Sequence, residues 1–232
     1  VLTALDLSGI PLRSNDRNES HPIVIAGGHS TYNPEPMSSF IDAFAIGEGE
    51  EIIQDIISCI KKSKELGFSR IEILKSLQNI KGVYVPSLYE VGLNEDGTIK
   101  KVKPKSSEFP NSIQKRIVPI LPDPPTHFIV PSIDVVQNRI SVEIMRGCSR
   151  GCRFCHAGMV NRPVRERSVE QIINSIEKSL INTGYEEIAL LSLSSSDYTH
   201  IEQLVDEITS RFKGKNLVIS LPSLRIESFS IN

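Results

Sequence analysis

Short apolar runs alternate with amphipathic helical patterns through the first 80 residues. Residues 22–26 and 43–46 form continuous apolar runs that are each closed by glycines, which predicts strands buried on both faces of a parallel sheet. Isoleucines at positions 52, 53, 56, 57 and 60 then recur at helical spacing. Ser69, three residues before Glu72, predicts a capping box at the start of a further helix. These patterns predict part of an α/β domain over residues 1–80.

The alternation changes between residues 81 and 138. Apolar positions on either side of the polar segment 94–97 predict a β-hairpin, with Val83, Val85 and Leu88 in its first arm. Residues 104–131 hold seven of the fourteen prolines, and proline lacks the backbone N–H that helices and sheets need. We therefore expect residues 81–138 to form a hairpin and an extended linker between two domains.

From residue 139 onward, apolar runs and amphipathic helices alternate as βα units. Residues 140–145, 188–193 and 217–221 predict three strands, and capping boxes at Ser168 and Thr199 predict the two helices between them. Right-handed β-α-β connections make such strands parallel. The series is typical of the first part of either a doubly wound sheet or a (β/α) barrel, and the pattern leaves both open.

The composition is that of an ordinary globular protein. Hydrophobic residues make up 39% of the chain and charged residues 23%, and the formal net charge is −2. This balance gives no sign of a nucleic-acid or membrane-surface binder, although a local RNA contact stays open. No apolar run approaches the ~20 residues that span a bilayer, and the N-terminus lacks a secretion signal. We therefore expect a cytoplasmic protein with no membrane partner.

The chain starts at Val1 without an initiator methionine and stops after a predicted strand. We interpret it as a piece of a longer protein. Three parallel strands cannot close a barrel, and the third would expose an unpaired edge. We therefore expect this piece alone to associate with itself and to lack turnover.

Three of the four cysteines, Cys148, Cys152 and Cys155, lie within eight residues after the predicted strand at 140–145. In a chain without an export signal, this C-x3-C-x2-C spacing indicates a metal site rather than disulfides. Three thiolates can hold three corners of a [4Fe-4S] cubane and leave one iron without a protein ligand. That iron can chelate the amino and carboxylate groups of S-adenosylmethionine (SAM), so that an electron from the cluster releases methionine and a 5′-deoxyadenosyl radical.

A structural zinc site is the main alternative for these cysteines. It would use His156 as the fourth ligand, but Cys155 and His156 are adjacent and would strain to reach one tetrahedral ion together. Cys59 lies far from the other three, in the isoleucine-rich helix, and is expected to be a buried structural thiol. The cluster interpretation is therefore preferred.

Charged and hydroxyl side chains surround the predicted strand ends. Six arginines but one acid, Glu166, occupy residues 146–167, where they either offset the charge of the thiolates and the cofactor or form a solvated face. Ligands of parallel α/β folds bind beyond the carboxyl ends of strands, although serine and aspartate also form turns for local reasons. The candidate cofactor-binding residues at these strand ends are Ser194, Ser195, Ser196, Ser223 and Arg225.

The cysteine loop resembles the signature of the radical SAM superfamily, C-x3-C-x-aromatic-C, with Phe154 as the aromatic residue. The resemblance covers about residues 139–230. It implies a full or partial (β/α) barrel, a [4Fe-4S] cluster on the three cysteines, an adenine ring near Phe154, and an electron donor such as flavodoxin or ferredoxin. The Gly-Gly-Glu that usually follows the second strand in this superfamily is replaced here by three serines.

Three motifs in the N-terminal region resemble the latter half of a cobalamin (B12)-binding domain that is fused to some radical SAM enzymes. They are Gly27-Gly28-His29, Asn33-Pro34-Glu35-Pro36 and Gly47-Glu48-Gly49-Glu50. The resemblance implies a partial Rossmann-like domain in which Gly27 and Gly28 let a nucleotide tail approach the backbone. The Asp-x-His-x-x-Gly motif that supplies the cobalt ligand is missing, and His29 does not match it.

These patterns together predict an α/β chain of three parts. Residues 1–80 form the C-terminal part of a B12-binding-like domain, residues 81–138 the hairpin and linker, and residues 139–232 the N-terminal part of a radical SAM barrel. The predicted function is SAM cleavage at a [4Fe-4S] cluster for an unknown substrate, with cobalamin as an optional further cofactor. The alternatives are a non-catalytic metal- or cobalamin-binding module and a methyl- or methylthiotransferase that acts on RNA or protein.

Overall fold

The computed structural model describes residues 1–133 and 135–225, which form two compact units. The first unit is Val1–Val118 and the second begins at Pro119. Their boundary lies inside the segment 81–138 that the sequence predicts as hairpin and linker, and the hairpin belongs to the first unit. No helix in the described ranges has the length and apolar character needed to cross a membrane.

The first unit contains a small mixed sheet, two main helices and a separate hairpin. Its α-helices and strands, in chain order, are α1 (Leu2–Leu7), β1 (Ile25–Ala26), β2 (Ala43–Ala45), α2 (Gly49–Glu65), α3 (Arg70–Gln78), β3 (Val83–Tyr84), β4 (Tyr89–Leu93) and β5 (Ile99–Pro104). As predicted, β1 and β2 are parallel, and β4 and β5 form an antiparallel hairpin. β3 lies antiparallel beside β2.

Two details of the prediction for this unit are wrong. Val83, Val85 and Leu88 precede the hairpin, which starts at Tyr89, and Val83 belongs to β3 because it pairs with Ala45 in the sheet. β1 is only half-buried because it lies at the edge of the sheet, whereas Ala43 and Phe44 of the central strand β2 are buried. A strand of a parallel sheet is buried on both faces only where other elements cover both.

The second unit is a βα series. Its α-helices and strands are β6 (Ile140–Glu143), β7 (Met145–Arg146), α4 (Ala157–Val160), β8 (Arg165–Glu166), α5 (Val169–Thr183), β9 (Glu187–Leu191), α6 (Ile201–Arg211) and β10 (Val218–Ser220). β6 and β10 lie on either side of β9, and all three are parallel, as predicted. Ile172 and Ile176 of α5 and Leu204 and Ile208 of α6 complete the buried core. This parallel arrangement is consistent with a partial radical SAM (β/α) fold.

Two of the three predicted capping boxes are confirmed. The hydroxyls of Ser69 and Ser168 each accept a hydrogen bond from the backbone N–H three residues later. In return, the backbone N–H of each serine donates to the side chain of that later residue, Glu72 or Gln171. The prediction for Thr199 is wrong, since α6 begins two residues later and His200 precedes it. The backbone N–H and hydroxyl of Thr199 instead donate to the Glu166 carboxylate, at 3.1 and 3.0 Å. A contact from β8 therefore replaces the local cap.

Candidate iron–sulfur site

The cysteines lie in a loop of residues 147–164, here called the cluster loop, which follows β6 and is closed at its base. Its two ends are joined by the antiparallel pair β7–β8, in which Met145 faces Glu166 and Arg146 faces Arg165. Gly147 has a φ of 91°, and a Cβ there would lie 2.6 Å from the carbonyl oxygen of Pro163. Only glycine fits this conformation and this close approach. The local sequence therefore folds the loop back on itself beyond the carboxyl end of β6.

The three cysteines of the loop are free thiols. Cys152 is exposed, and Cys148 and Cys155 are half-buried. The Cys155 N–H donates to the Cys152 carbonyl at 3.0 Å, and the Gly158 N–H donates to the Cys155 sulfur at 3.3 Å. The wrap uses positive φ values at Gly147 and at Gly151, whose φ is 69°.

The chemistry of the donor set, three thiols on one loop, fits a cubane held by three thiolates. Among the described residues, no three His, Cys, Asp or Glu side chains are grouped so that they could hold one metal ion. A structural zinc site needs four ligands converging on one centre, whereas a cubane places its thiolates on different irons. The three thiols of this loop could each bind a different iron of a cubane.

An ionic pair network holds the base of the cluster loop. Arg146 donates two hydrogen bonds to the Glu143 carboxylate, at 2.8 and 3.0 Å. Arg167 donates to the same carboxylate at 3.0 Å and to the Glu143 carbonyl at 2.8 Å. Burial alone raises the pKa of Glu143, but the hydrogen bonds and charges of the two arginines outweigh it and lower that pKa. These arginines therefore fix the base of the loop.

The other arginines of the region have different surroundings. Arg162 donates to the carbonyls of Cys148 and Ser149, at 3.3 and 3.5 Å, and so braces the loop from inside. Arg165 donates to the Pro163 and Asn161 carbonyls. Arg153 is exposed. These arginines were expected either to balance cluster charge or to form a solvated face, and the structure shows that Arg162 and Arg165 brace the backbone of the loop.

Arg150 connects the cluster loop to the turn after β9. Its Nε donates to Asp197 Oδ2 at 2.8 Å, and its Nη2 donates to Asp197 Oδ1. The pKa of Arg150 is raised, chiefly by Asp197 and further by the nearby thiols of Cys148 and Cys152. The guanidinium therefore pairs with a carboxylate outside the loop, and its residue lies between two of the three proposed cluster ligands in the sequence.

Asp197 follows the three serines at the end of β9, and the sequence did not identify its side-chain partner. The hydrogen bond from Arg150 lowers its pKa to about 2, with smaller contributions from Ser194 and from the charge of Arg225, against the opposing effect of partial burial. The sequence signal for such an ion pair is an acid at a strand end together with an arginine-rich cluster loop. Its partner lies 47 residues away, so spacing alone could not identify it.

The serines after β9 are not equivalent. The Ser195 side chain is fully buried, and its hydroxyl bonds to the Pro222 carbonyl at 2.6 Å, which ties the end of β9 to the segment after β10. The Ser196 hydroxyl is buried and has no hydrogen-bond partner among the described residues. Ser194 lies against Asp197, and Ser223 is exposed with a φ of 63°. The carboxyl edge therefore gathers Ser194, Ser196, Asp197 and Arg225.

Phe154 projects from the cluster loop. Its side chain is 92% exposed, next to Cys155 in the chain. An aromatic ring of this size is usually covered in a folded protein, and its exposure leaves both faces open to a planar ligand. The structure thus leaves Phe154 free for the contact that the resemblance implies.

The glycine motifs of the first unit have contrasting environments. A Cβ on Gly28 would meet no atom within 4 Å, and one on Gly27 would meet only Ala45 O at 4.0 Å. A Cβ on Gly47 would lie 2.2 Å from the Arg116 carbonyl oxygen, because residues 46–48 pair with Arg116 of the chain itself. The Gly47 motif therefore pairs with the backbone at Arg116, near the end of the first unit. The Gly27-Gly28 turn, in contrast, faces open space.

A parallel βα series with a three-thiol loop after its first strand makes this an α/β protein with a cysteine-rich loop at the carboxyl edge of its sheet. Two family models match this chain: "Radical SAM proteins, N-terminal" over residues 1–86 and "Radical SAM superfamily" over residues 142–229. Together they cover about three quarters of it. The chain belongs to the radical SAM superfamily.

Three relatives illustrate the similarity. An uncharacterised protein of Methanocaldococcus jannaschii is 24% identical over 189 residues, which are 81% of this chain and 35% of that protein. The tRNA-2-methylthio-N(6)-dimethylallyladenosine synthase of Phocaeicola vulgatus is 31% identical over 100 residues, 42% of this chain and 21% of the enzyme. The ribosomal protein uS12 methylthiotransferase of Thermotoga petrophila is 28% identical over 163 residues, which are 67% of this chain and 35% of that enzyme. The chain thus spans about a third or less of the relatives that it matches.

Proposed function

We propose that this chain supplies the cluster-binding part of a radical SAM enzyme, with Cys148, Cys152 and Cys155 as the three ligands of a [4Fe-4S] cluster. When bound, such a cluster supplies the electron that splits SAM into methionine and a 5′-deoxyadenosyl radical. One observation carries the proposal: three free thiols on a loop that β7–β8 closes at the carboxyl end of a parallel strand. Ligand sites of parallel α/β folds occur at this edge.

The residues at the neighbouring strand ends would hold SAM. Ser196 offers a buried hydroxyl without a partner among the described residues, and a buried hydroxyl in this condition is stabilised when a ligand bonds to it. Ser194 and Arg225 lie beside Asp197 at the same edge. Phe154 offers an exposed ring to the adenine. Ser195 maintains the turn that presents these groups, since its hydroxyl is bonded within the protein.

The substrate class follows from the relatives and is part of the proposal. One of them is named a tRNA-2-methylthio-N(6)-dimethylallyladenosine synthase and another a ribosomal protein uS12 methylthiotransferase. We propose methylthio or methyl transfer to RNA or protein as the reaction of the full-length protein. The free thiols favour a reducing compartment such as the cytoplasm, and the cluster requires an electron donor such as flavodoxin or ferredoxin.

Cobalamin does not enter this proposal. The model that matches residues 1–86 describes the N-terminal region of radical SAM proteins and names no cobalamin domain. The Gly47 turn is filled by Arg116 of the same chain, and a Cβ on Gly28 would meet no atom within 4 Å. A non-catalytic metal-binding module is the remaining alternative of another class.

Anaerobic reconstitution of the full-length protein tests the proposal. We expect close to four iron and four sulfide per chain, visible charge-transfer absorption, and 5′-deoxyadenosine formation with dithionite and SAM. Alanine at Cys148, Cys152 or Cys155 should abolish all three, while Cys59→Ala, in the half-buried helix position of the first unit, should leave them intact. A single zinc ion, or a cluster that survives loss of all three loop cysteines, would overturn the proposal. A cluster without SAM cleavage would support the non-catalytic alternative.

A further inference from the structure

We infer that Arg150 and Asp197 form a positioning clamp that fixes the cluster loop against the neighbouring strand end; this inference rests on the proposed function. Arg150 stands two residues after Cys148 and two before Cys152. Its guanidinium reaches Asp197 beyond β9, the strand that pairs directly with β6. The clamp thus joins the sulfur-bearing segment to the edge where the SAM-binding candidates lie.

The clamp is the principal side-chain link between the sulfur-bearing segment and the rest of the unit. Within the described part of the chain, Arg150 is the one residue of 148–155 whose side chain hydrogen-bonds outside the cluster loop. Arg162 braces the same segment, but it belongs to the loop itself. A two-bond fork between guanidinium and carboxylate fixes orientation as well as distance.

The anchor on the other side is itself held firmly. The Asp197 N–H donates to the Ser194 carbonyl at 3.0 Å, and the adjacent Ser195 hydroxyl bonds to the Pro222 carbonyl. The Tyr198 hydroxyl, which is buried, donates to the Arg167 carbonyl at 2.8 Å. The cluster loop is therefore tied to a turn that bonds to the segments after β8 and β10.

The clamp is suited to positioning rather than to holding the fold together. The Arg150 side chain is 49% exposed and that of Asp197 is 15% exposed. Exposed ion pairs contribute little to folding stability, so removing this pair should leave the unit folded. Partners that orient metal ligands, in contrast, change metal affinity by roughly 10–100-fold when they are removed. The predicted effect is therefore on the cluster and not on the fold.

The test measures cluster release into excess chelator from the reconstituted full-length protein. Arg150→Ala and Asp197→Asn should each speed release by about tenfold, in the same direction. The double variant should be no faster than either single one, because both changes remove one interaction. Exchanging the two charges, R150D with D197R, should restore slow release. Arg211→Ala is the control. It breaks the exposed Arg211–Glu177 pair between α6 and α5 (3.1 Å) and should leave the rate of cluster release unchanged.

A second readout separates positioning from simple charge. If Arg150 acts only by its charge, removing a positive and a negative group should shift cluster release and midpoint potential in opposite directions, and that result would overturn the inference. If it acts as a clamp, both loaded variants should lose the change that SAM causes in the electron paramagnetic resonance spectrum of the reduced cluster, and the charge exchange should recover it. If the wild-type protein loads no cluster, the proposed function is wrong. If the wild type loads a cluster and the variants have the same release rate and the same response to SAM, only the clamp is wrong.

Discussion

At the residue scale, buried charges decide where this chain is least tolerant of change. In the first unit, the Asp42 carboxylate accepts hydrogen bonds from Arg17 at 2.9 Å and Arg70 at 2.8 Å, and the three side chains are at most 8% exposed. Other guanidinium hydrogens of Arg17 and Arg70 bond to backbone carbonyls of the loops before β1 and β2. One carboxylate therefore orders two arginines and the loops that they hold.

Removing that carboxylate should destabilise the first unit strongly. We expect Asp42→Ala to lower the free energy of unfolding by about 3–5 kcal/mol, because two buried guanidinium groups lose their counter-charge. Glu90→Ala is the matched control, since it breaks a 3.2 Å pair with Lys103 whose side chains are more than half exposed, and it should cost less than about 0.5 kcal/mol. Urea unfolding followed by circular dichroism measures both. Equal losses in the two variants would contradict the assigned role of Asp42.

A second prediction at this scale concerns pH and Glu143 at the base of the cluster loop. Arg146 and Arg167 lower its folded-state pKa below the ordinary value of 4.5 against the effect of burial. A lowered pKa means that the ionised group stabilises the fold above pH 4.5 and that this contribution is lost as the pH falls through the folded-state value. Wild type should exceed Glu143→Gln in unfolding free energy at pH 7, and the gap should narrow below pH 4.5. A gap that stays constant from pH 7 to 3 would refute this account.

At the element scale, local signals were readable from the sequence and non-local ones were not. The capping boxes at Ser69 and Ser168 depend on residues three positions apart, and both formed. Thr199 carries the same signal, yet Glu166 from β8 takes its hydrogen bonds. The pairing of β3 with β2 and the contact of Arg150 with Asp197 likewise depend on the folded chain. Spacing thus located the cysteine loop, and the structure was needed to find what holds it.

The neck of the cluster loop gives a prediction about an element. Gly147→Ala should impair cluster loading, since its Cβ would press on the Pro163 carbonyl oxygen at 2.6 Å and would also require a positive φ. Gly214→Ala is the matched control: its φ is 84° and no atom lies within 4 Å of the added Cβ. The control carries only the conformational cost of about 1–2 kcal/mol. Iron content after reconstitution should fall in the first variant and stay at the wild-type level in the second.

At the scale of the whole molecule, the sheet of the second unit is an open one. Within the described residues it has three parallel strands in the order β10-β9-β6, and β10 pairs on one side only. Val218 of β10 is 57% exposed. An unpaired strand edge with an exposed apolar residue is a template for pairing with another chain.

The 232-residue chain expressed alone should therefore associate with itself. Light scattering should give a mass above that of the 25.8 kDa monomer, rising with concentration. Val218→Lys should reduce this association, because a charged lysine on an edge strand disfavours strand addition. The same substitution at Val91, which is 41% exposed on the separate β4–β5 hairpin, should leave the association unchanged. A monodisperse monomer at all concentrations would contradict this prediction and would show that the edge of β10 does not pair with a second chain.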